Sequence, residues 1–248
     1  MSFHVDLQGE TALVTGGSRN IGLAVGLALR SAGARVGIAA RSDGKALEQA
    51  VNLLSSDGKD AMGILMNVAD EEDVLDLYDR VEENLGPVSV LVNGAAVRPL
   101  QRFTELPRKD WSEVVDVILT GAFLTSRELF RRLPGERKGA IVNVGGLSAH
   151  RPARDRVHVI AAKSGLIGLT RALAEEGLGR IRVNAVVPGL IDTERRPGQS
   201  NPHPGESDGA RPRGTSRDVA RAVLALCDPR DVYTTGQTLH VNGGRFMP

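Results

Sequence analysis

The chain has 248 residues, 41% apolar and 25% charged, with 31 Lys+Arg against 30 Asp+Glu. A net charge of +1 gives no electrostatic case for a nucleic-acid or anionic-membrane partner, and no apolar run approaches the roughly 20 residues of a membrane helix. The single cysteine, Cys227, excludes an intrachain disulfide and a cysteine-built metal cluster, and fits a reducing, cytoplasmic location.

Met1 to Gly9 lacks the basic flank and apolar core of a signal peptide. Thr11–Val14 is a short apolar run ending in glycines, and Ile21–Leu29 has helical spacing. Arg35–Ala40 predicts a second strand and Lys45–Leu54 a helix. Ala61–Met66 predicts a third strand and Asp70–Leu85 a helix stopped by Gly86-Pro87. Val88–Val92 follows as a strand, and Asp110–Leu133 as one long helix. Ala140–Val144, a helix from about Arg156 to Glu176, Ile181–Val187 and Thr238–Val241 complete the series. Strands alternating with helix-length segments predict right-handed βαβ units and a parallel sheet covered on both faces. The fold expected is α/β, one doubly wound Rossmann-type domain over residues 1–248. Arg195–Gly214 is rich in Pro, Gly, Arg and Ser. It reads as an insertion forming a substrate lid over about residues 190–214.

The first strand runs into Thr15-Gly16-Gly17-Ser18-Arg19-Asn20-Ile21-Gly22 and then a helix, the context a glycine-rich phosphate loop requires. Gly16 allows the tight turn and Gly22 close helix–strand packing, while the helix N-terminus offers N–H groups to a pyrophosphate. Asn20 stands where a middle glycine is usual; asparagine tolerates a left-handed backbone better than other side chains. Nineteen residues after Gly22 the second strand ends at Arg41-Ser42. An acidic residue there would bond a ribose 2′-hydroxyl, whereas an arginine accommodates a 2′-phosphate. With Arg19, Arg41 predicts NADP(H) over NAD(H).

Thr15–Gly22, Asn93-Gly94-Ala95, Ala161-Ala162-Lys163, Pro188-Gly189 and Val241-Asn242-Gly243-Gly244 occur in this order. Together they resemble the short-chain dehydrogenase/reductase family, and within it proteins like the 3-oxoacyl-ACP reductases. The resemblance covers essentially the whole chain. It implies a seven-stranded parallel sheet and a homotetramer paired through the Asp110–Leu133 and Arg156–Glu176 helices. It also implies that Asn67 and Val68 hold adenine, with Asn67 replacing the family's aspartate. Asn93, Gly94 and Ala95 then line the cofactor and support the sheet, and Lys163 bonds the nicotinamide ribose. Pro188, Gly189, Ile191 and Thr193 meet the nicotinamide carboxamide.

The resemblance breaks at the chemistry. The family's tyrosine, four residues before the lysine, falls on Val159; its serine falls on Gly146, and the asparagine of its central helix on Ile118. Neither tyrosine of the chain, Tyr78 or Tyr233, aligns with the missing one. Candidate replacements are Lys163 itself, Ser148, His158 and water. Histidine is a natural general acid near neutral pH, but on a regular helix His158 does not share the face of Lys163. His150, Arg151, Arg154 and Arg156, with Arg98, would suit an anionic small-molecule substrate. His4, His150, His158, His203 and His240 lack metal-site spacing, and no metal is expected. The expected function is NADPH-dependent reduction of a carbonyl, imine or activated alkene with non-standard acid chemistry. The alternatives are a catalytically silent subunit pairing with an active related reductase, and a non-redox protein on the same scaffold.

Overall fold

In β1 (Thr11–Thr15) the side chains alternate between two cores: Ala12 and Val14 pack on one side of the sheet, Leu13 on the other. β5 (Gly139–Val144) repeats the pattern, with Val142 and Val144 on the first side and Ile141 on the second. Successive strand side chains point to opposite faces, so a strand buried twice must be apolar throughout. The computed structural model describes residues 4–55, 60–194, 212–228 and 230–248. Among these, β1 and β5 join β2 (Arg35–Ala40), β3 (Ala61–Leu65), β4 (Val88–Asn93), β6 (Ile181–Pro188) and a last strand, β9 (Thr238–Val241). They form one seven-stranded parallel sheet in the order β3-β2-β1-β4-β5-β6-β9. The expected α/β, doubly wound Rossmann-type architecture is the one observed.

Helices α1 (Asn20–Ser31), α2 (Gly44–Leu54) and α7 (Ser216–Leu226) cover one face, through Val25, Leu29, Leu47, Leu54, Val219 and Val223. On the other face α3 (Glu71–Leu85) packs Val74, Leu77, Tyr78 and Val81 against the sheet. α6 (Val157–Glu176) is long and apolar enough to cross a bilayer by length and composition, yet its Val159, Ala162 and Leu166 are buried against α4 (Arg108–Val115) and its neighbours.

The segment expected as one long helix is three pieces. α4 ends at Val115, a π turn spans Asp116–Thr120, and α5 runs from Gly121 to Arg132. A π turn, with i→i+5 bonds, shifts the apolar face by about one residue, a break too short to stand out in an apolar run such as Val114–Leu119; such turns gather at functional sites. A two-residue parallel ladder pairs β7 (Ile191–Asp192) with β8 (Gly214–Thr215), with Arg213 Nε 2.5 Å from Asp192 Oδ1. It ties together the two ends of the insertion expected at Arg195–Gly214, most of which lies outside the described residues.

Candidate nucleotide site and catalytic cleft

β1 and β4 meet where the strand order reverses, and their last residues, Thr15 and Asn93, pair in register. Doubly wound sheets take ligands in the crevice beyond the strand ends at such a point. Here the floor of the crevice is bare backbone. A Cβ on Gly22 would stand 2.1 Å from the Gly16 oxygen, and one on Gly16 (φ +70°) 2.9 Å from the Gly94 carbonyl. Only hydrogens fit, so α1 starts directly over the end of β1. Thr15 Oγ1 accepts the N–H groups of Gly94 and Ala95 at 3.1 and 3.3 Å, fastening the β4 loop beside the β1–α1 loop.

Asn20 holds the left-handed backbone its side chain was expected to tolerate, at φ 51°. Its carboxamide makes a reciprocal pair with Glu194: Nδ2 donates to the Glu194 carbonyl at 3.0 Å, and Oδ1 accepts its N–H at 2.9 Å. The β1–α1 loop is thereby latched to the segment that follows β7. Asn20→Ala is expected to lose about 2 kcal/mol, from strain plus two hydrogen bonds. Asn20→Gly should keep the turn and lose only the latch. Faster amide exchange at Glu194 in both variants, with Asn20→Gly the more stable, is the result to look for.

At α1, the Arg19 N-cap supplies no side-chain acceptor, and the first turn has no acidic residue. By contrast Asp43, Asp70 and Thr215 cap α2, α3 and α7. Uncapped first-turn N–H groups over a glycine floor suit an anion. Ser18 lies buried in this loop and Ile21 is half-buried behind it. Arg19 is in ion-pair contact with Asp43, and Arg41 Nη1 lies 2.7 Å from Glu113 Oε1 of α4. Ser42 is exposed beside them. Asn67 is exposed, with its Oδ1 accepting the Ala69 N–H at 3.3 Å in an Asx turn, and Val68 is buried against Gly121.

Asn93 is tied into the sheet. Its Nδ2 donates to Asn143 Oδ1 at 2.9 Å and Ser126 Oγ at 3.2 Å, and its Oδ1 accepts from Thr125 Oγ1 at 2.7 Å. Asn143 Nδ2 continues to Thr170 Oγ1 at 2.9 Å. This buried network joins β4, β5, α5 and α6, and satisfied networks of this kind rigidify. Pro188 is buried at the end of β6, and Gly189 lies so close to Asn242 that a Cβ would stand 2.7 Å from its Cα. Ile191 and Thr193 are half-buried beyond it.

Lys163 is buried, and its Nζ donates to the Val144 carbonyl at 2.6 Å. Burial, with the Arg98 charge acting in the same direction, brings its pKa down to about 7. An amine near neutrality can hold or release a proton at physiological pH. Gly146 sits at the start of a 3₁₀ turn, Leu147–Ala149, and Ser148 Oγ lies 3.6 Å from where a Gly146 Cβ would be. The Ser148 hydroxyl therefore reaches the neighbourhood that a serine at 146 would occupy.

A family model described as Enoyl-(Acyl carrier protein) reductase matches residues 16–245. The chain is a short-chain dehydrogenase/reductase. It is 35% identical to the 3-oxoacyl-(acyl-carrier-protein) reductase FabG of Aquifex aeolicus (strain VF5) over 246 residues, 98% of this chain and 99% of that one. It is 32% identical to the Escherichia coli (strain K12) protein of the same name, over 98% and 100% of the two chains. A doubly substituted variant of a Serratia marcescens short-chain dehydrogenase/reductase superposes with a TM-score of 0.88 at 30% identity, covering 96% and 98%.

Within this short-chain dehydrogenase/reductase, Ile118 and Val159 fall in one buried apolar cluster with Val114, Ala122, Ala162 and Leu166. The two positions expected from the resemblance to hold polar relay residues are thus in contact with one apolar cluster. Neither tyrosine reaches the crevice. Tyr78 is buried in α3 with its hydroxyl donating to Thr125 O at 2.7 Å. Tyr233 is 95% exposed beside a cavity of about 280 Å³ that Ser89, Gly139 and Ile181 line at the opposite, amino-terminal edge of the sheet.

His158 lies one residue inside α6, which is regular from Val157, so about 140° of helix rotation separates it from Lys163. It is buried, and neither ring nitrogen has a partner. Desolvation lowers its pKa, against Asp110, which raises it, and with Arg156, which lowers it. The unfolded chain takes up a proton that the folded chain refuses, so this residue makes stability fall as pH drops below about 6.5. His158→Leu is expected to stabilise by about 1–2 kcal/mol through removal of an orphaned donor. Its thermal-unfolding midpoint should also fall less steeply toward pH 5; an unchanged pH profile would reject this.

The basic loop divides. Arg151 and Arg154 are exposed, Arg98 is exposed at the β4 loop, and Arg156 is buried at the N-cap of α6. His150 instead joins a ring cluster, 4.7 Å from His240 of β9 and 5.1 Å from Phe246 between ring centroids. This cluster and the Asn143–Thr170 link escaped the sequence reading. Their members are far apart along the chain and carry no spacing signal.

Proposed function

We infer that this chain is an NADPH-dependent reductase of a carbonyl, imine or activated-alkene substrate, working with reduced or rerouted proton donation. One observation carries the reading. The backbone at Gly16, Gly22 and Gly94 is packed too closely for any Cβ and lies under an α1 N-terminus with no side-chain cap, as a phosphate cradle requires, while the positions that match the family's proton relay are filled by Ile118 and Val159. A nicotinamide nucleotide supplies hydride chemistry when bound. The chain's own part is positional. The N-terminus of α1 and the glycine floor hold the pyrophosphate, and Arg19, Arg41 and Ser42 the adenosine end. Asn67 and Val68 flank adenine. Lys163 grips the nicotinamide ribose, and Pro188, Gly189, Ile191 and Thr193 border the carboxamide. The Ser148 hydroxyl polarises the substrate oxygen, and Lys163 Nζ holds the proton that restores neutrality there, directly or through water.

A general acid contributes about 10²–10⁴-fold, so loss of the tyrosine slows such a reaction without abolishing it. The named relatives act on 3-oxoacyl groups, and with Val159 in place an acceptor that needs little protonation suits this cleft better. The exposed Arg98, Arg151 and Arg154 favour an anionic one. The packed Ile118–Val159 cluster also favours a second reading, a silent subunit that binds nucleotide and pairs with an active relative, as a homotetramer-forming family would allow.

Titration with NADPH and NADH, read by Trp111 quenching and nucleotide fluorescence, is the test. Micromolar NADPH binding followed by turnover of an activated acceptor supports the reductase. Binding with no turnover, and recovery of activity only on mixing with a related reductase, supports the subunit. Binding of neither nucleotide overturns both.

A further inference from the structure

We propose that two carboxylates, Asp43 and Glu113, set how strongly this site prefers a 2′-phosphorylated adenine nucleotide, by opposing the phosphate at Arg19 and Arg41. The proposal rests on the nucleotide reading above. Arg19 comes from the phosphate loop and is in ion-pair contact with Asp43; the two side chains are 36% and 30% exposed. Arg41 ends β2 and meets Glu113 of α4 at 2.7 Å, with 54% and 44% exposure. Both arginines that read as 2′-phosphate ligands thus already carry an acidic partner. Asp43 is held in place twice over, since its Oδ1 also accepts the Ala46 N–H at 3.0 Å and caps α2.

The end of β2 is where the adenosine ribose of a dinucleotide on the β1–α1 loop arrives. A guanidinium has five donors, so a phosphate can join Arg19 or Arg41 without expelling the carboxylate. The carboxylate then stays a few ångströms from a phosphate of up to two negative charges and repels it. A ribose 2′-hydroxyl is neutral and can donate, so the same carboxylate favours the unphosphorylated nucleotide. Two arginines alone would give a steep NADPH preference. With Asp43 and Glu113 beside them the preference is shallow, and the acidic pair is where it is tuned.

Asp43→Asn keeps an acceptor for the α2 cap, because asparagine is as good an N-cap as aspartate; Glu113→Gln sits on a solvent-facing side of α4 and disturbs no cap. Each should tighten NADPH binding about fivefold, leave NADH binding equal or weaker, and show a smaller gain at high salt. Dissociation constants for both nucleotides are measured on wild type and both variants by nicotinamide fluorescence. If the wild type binds neither nucleotide, the nucleotide reading fails and this proposal with it. If it binds nucleotide but the NADPH-to-NADH ratio stays fixed in both variants, or NADPH weakens, this proposal alone fails. A rise in the ratio from Glu113→Gln sustains it even where Asp43→Asn does not fold.

Discussion

Gly22→Ala is expected to abolish nucleotide binding and to destabilise the chain by about 3 kcal/mol or more. The added methyl would stand 2.1 Å from the Gly16 oxygen and 2.8 Å from its carbonyl carbon. Both are main-chain atoms, so no side chain can swing aside. Overpacking against a yielding core costs about 1–3 kcal/mol, and a rigid turn lies at or above the top of that range. The only relief is for α1 to slide off the end of β1. That opens the floor formed by Gly16 and Gly94 and turns the first-turn N–H groups of α1 away from any phosphate. Gly135→Ala is the control, because a Cβ there meets nothing within 4 Å. Denaturant unfolding of the two variants should differ by the whole effect. A Gly22→Ala protein as stable as Gly135→Ala, with nucleotide affinity intact, would mean the cradle is looser than the close approach implies.

The glycine-rich turn from Thr15 to Gly22 was legible because its constraint is local. Gly16 and Asn20 name the left-handed backbone they adopt, and Gly22 the close approach of α1 to Gly16, all within one turn. The sheet was legible for a similar reason: strands apolar on both faces, alternating with helices, admit few topologies. What escaped the sequence is what depends on chain crossing. Glu113 lies 72 residues from Arg41, and its charge looks like that of any surface helix until the fold brings α4 beside β2. In the sequence, Ile118 and Val159 are two apolar residues 41 positions apart, matched to polar positions only by the family resemblance. That the two lie in one buried apolar cluster depends on the fold bringing α6 against the π turn. The π turn at Asp116–Thr120 displaces the helical period by only about one residue, within a run so apolar that the displacement leaves no clear mark. Ser148 was readable as a neighbour of Gly146, but the 3.6 Å approach of its hydroxyl to the place of a Gly146 Cβ depends on the 3₁₀ turn.

Lys163→Met is expected to make the free protein more stable and the nucleotide complex weaker. The signs come from where the amine sits. Burial brings its pKa to about 7, whereas in the unfolded chain a lysine titrates near 10.4. Between those values the unfolded state binds a proton that the folded state does not, so stability rises with pH from about 7 to about 10. Below pH 7 both states are protonated and the folded chain bears the full cost of a buried charge, of order 4 kcal/mol. Methionine has similar length and no charge. Against that gain stands the lost 2.6 Å bond to the Val144 carbonyl, which leaves an acceptor unsatisfied at about 1–3 kcal/mol. The net expectation is a gain of about 2 kcal/mol at pH 6, shrinking to nothing or reversing by pH 10. Nucleotide affinity should fall about ten- to a hundredfold, the worth of one charge-assisted hydrogen bond. Stability that improves while binding is lost marks a residue held in place for function against the interest of the fold. A variant that binds nucleotide as the wild type does and unfolds more readily at every pH would instead make Lys163 a peg for the end of β5. The cleft would then retain no member of the family's catalytic set in a chemical role.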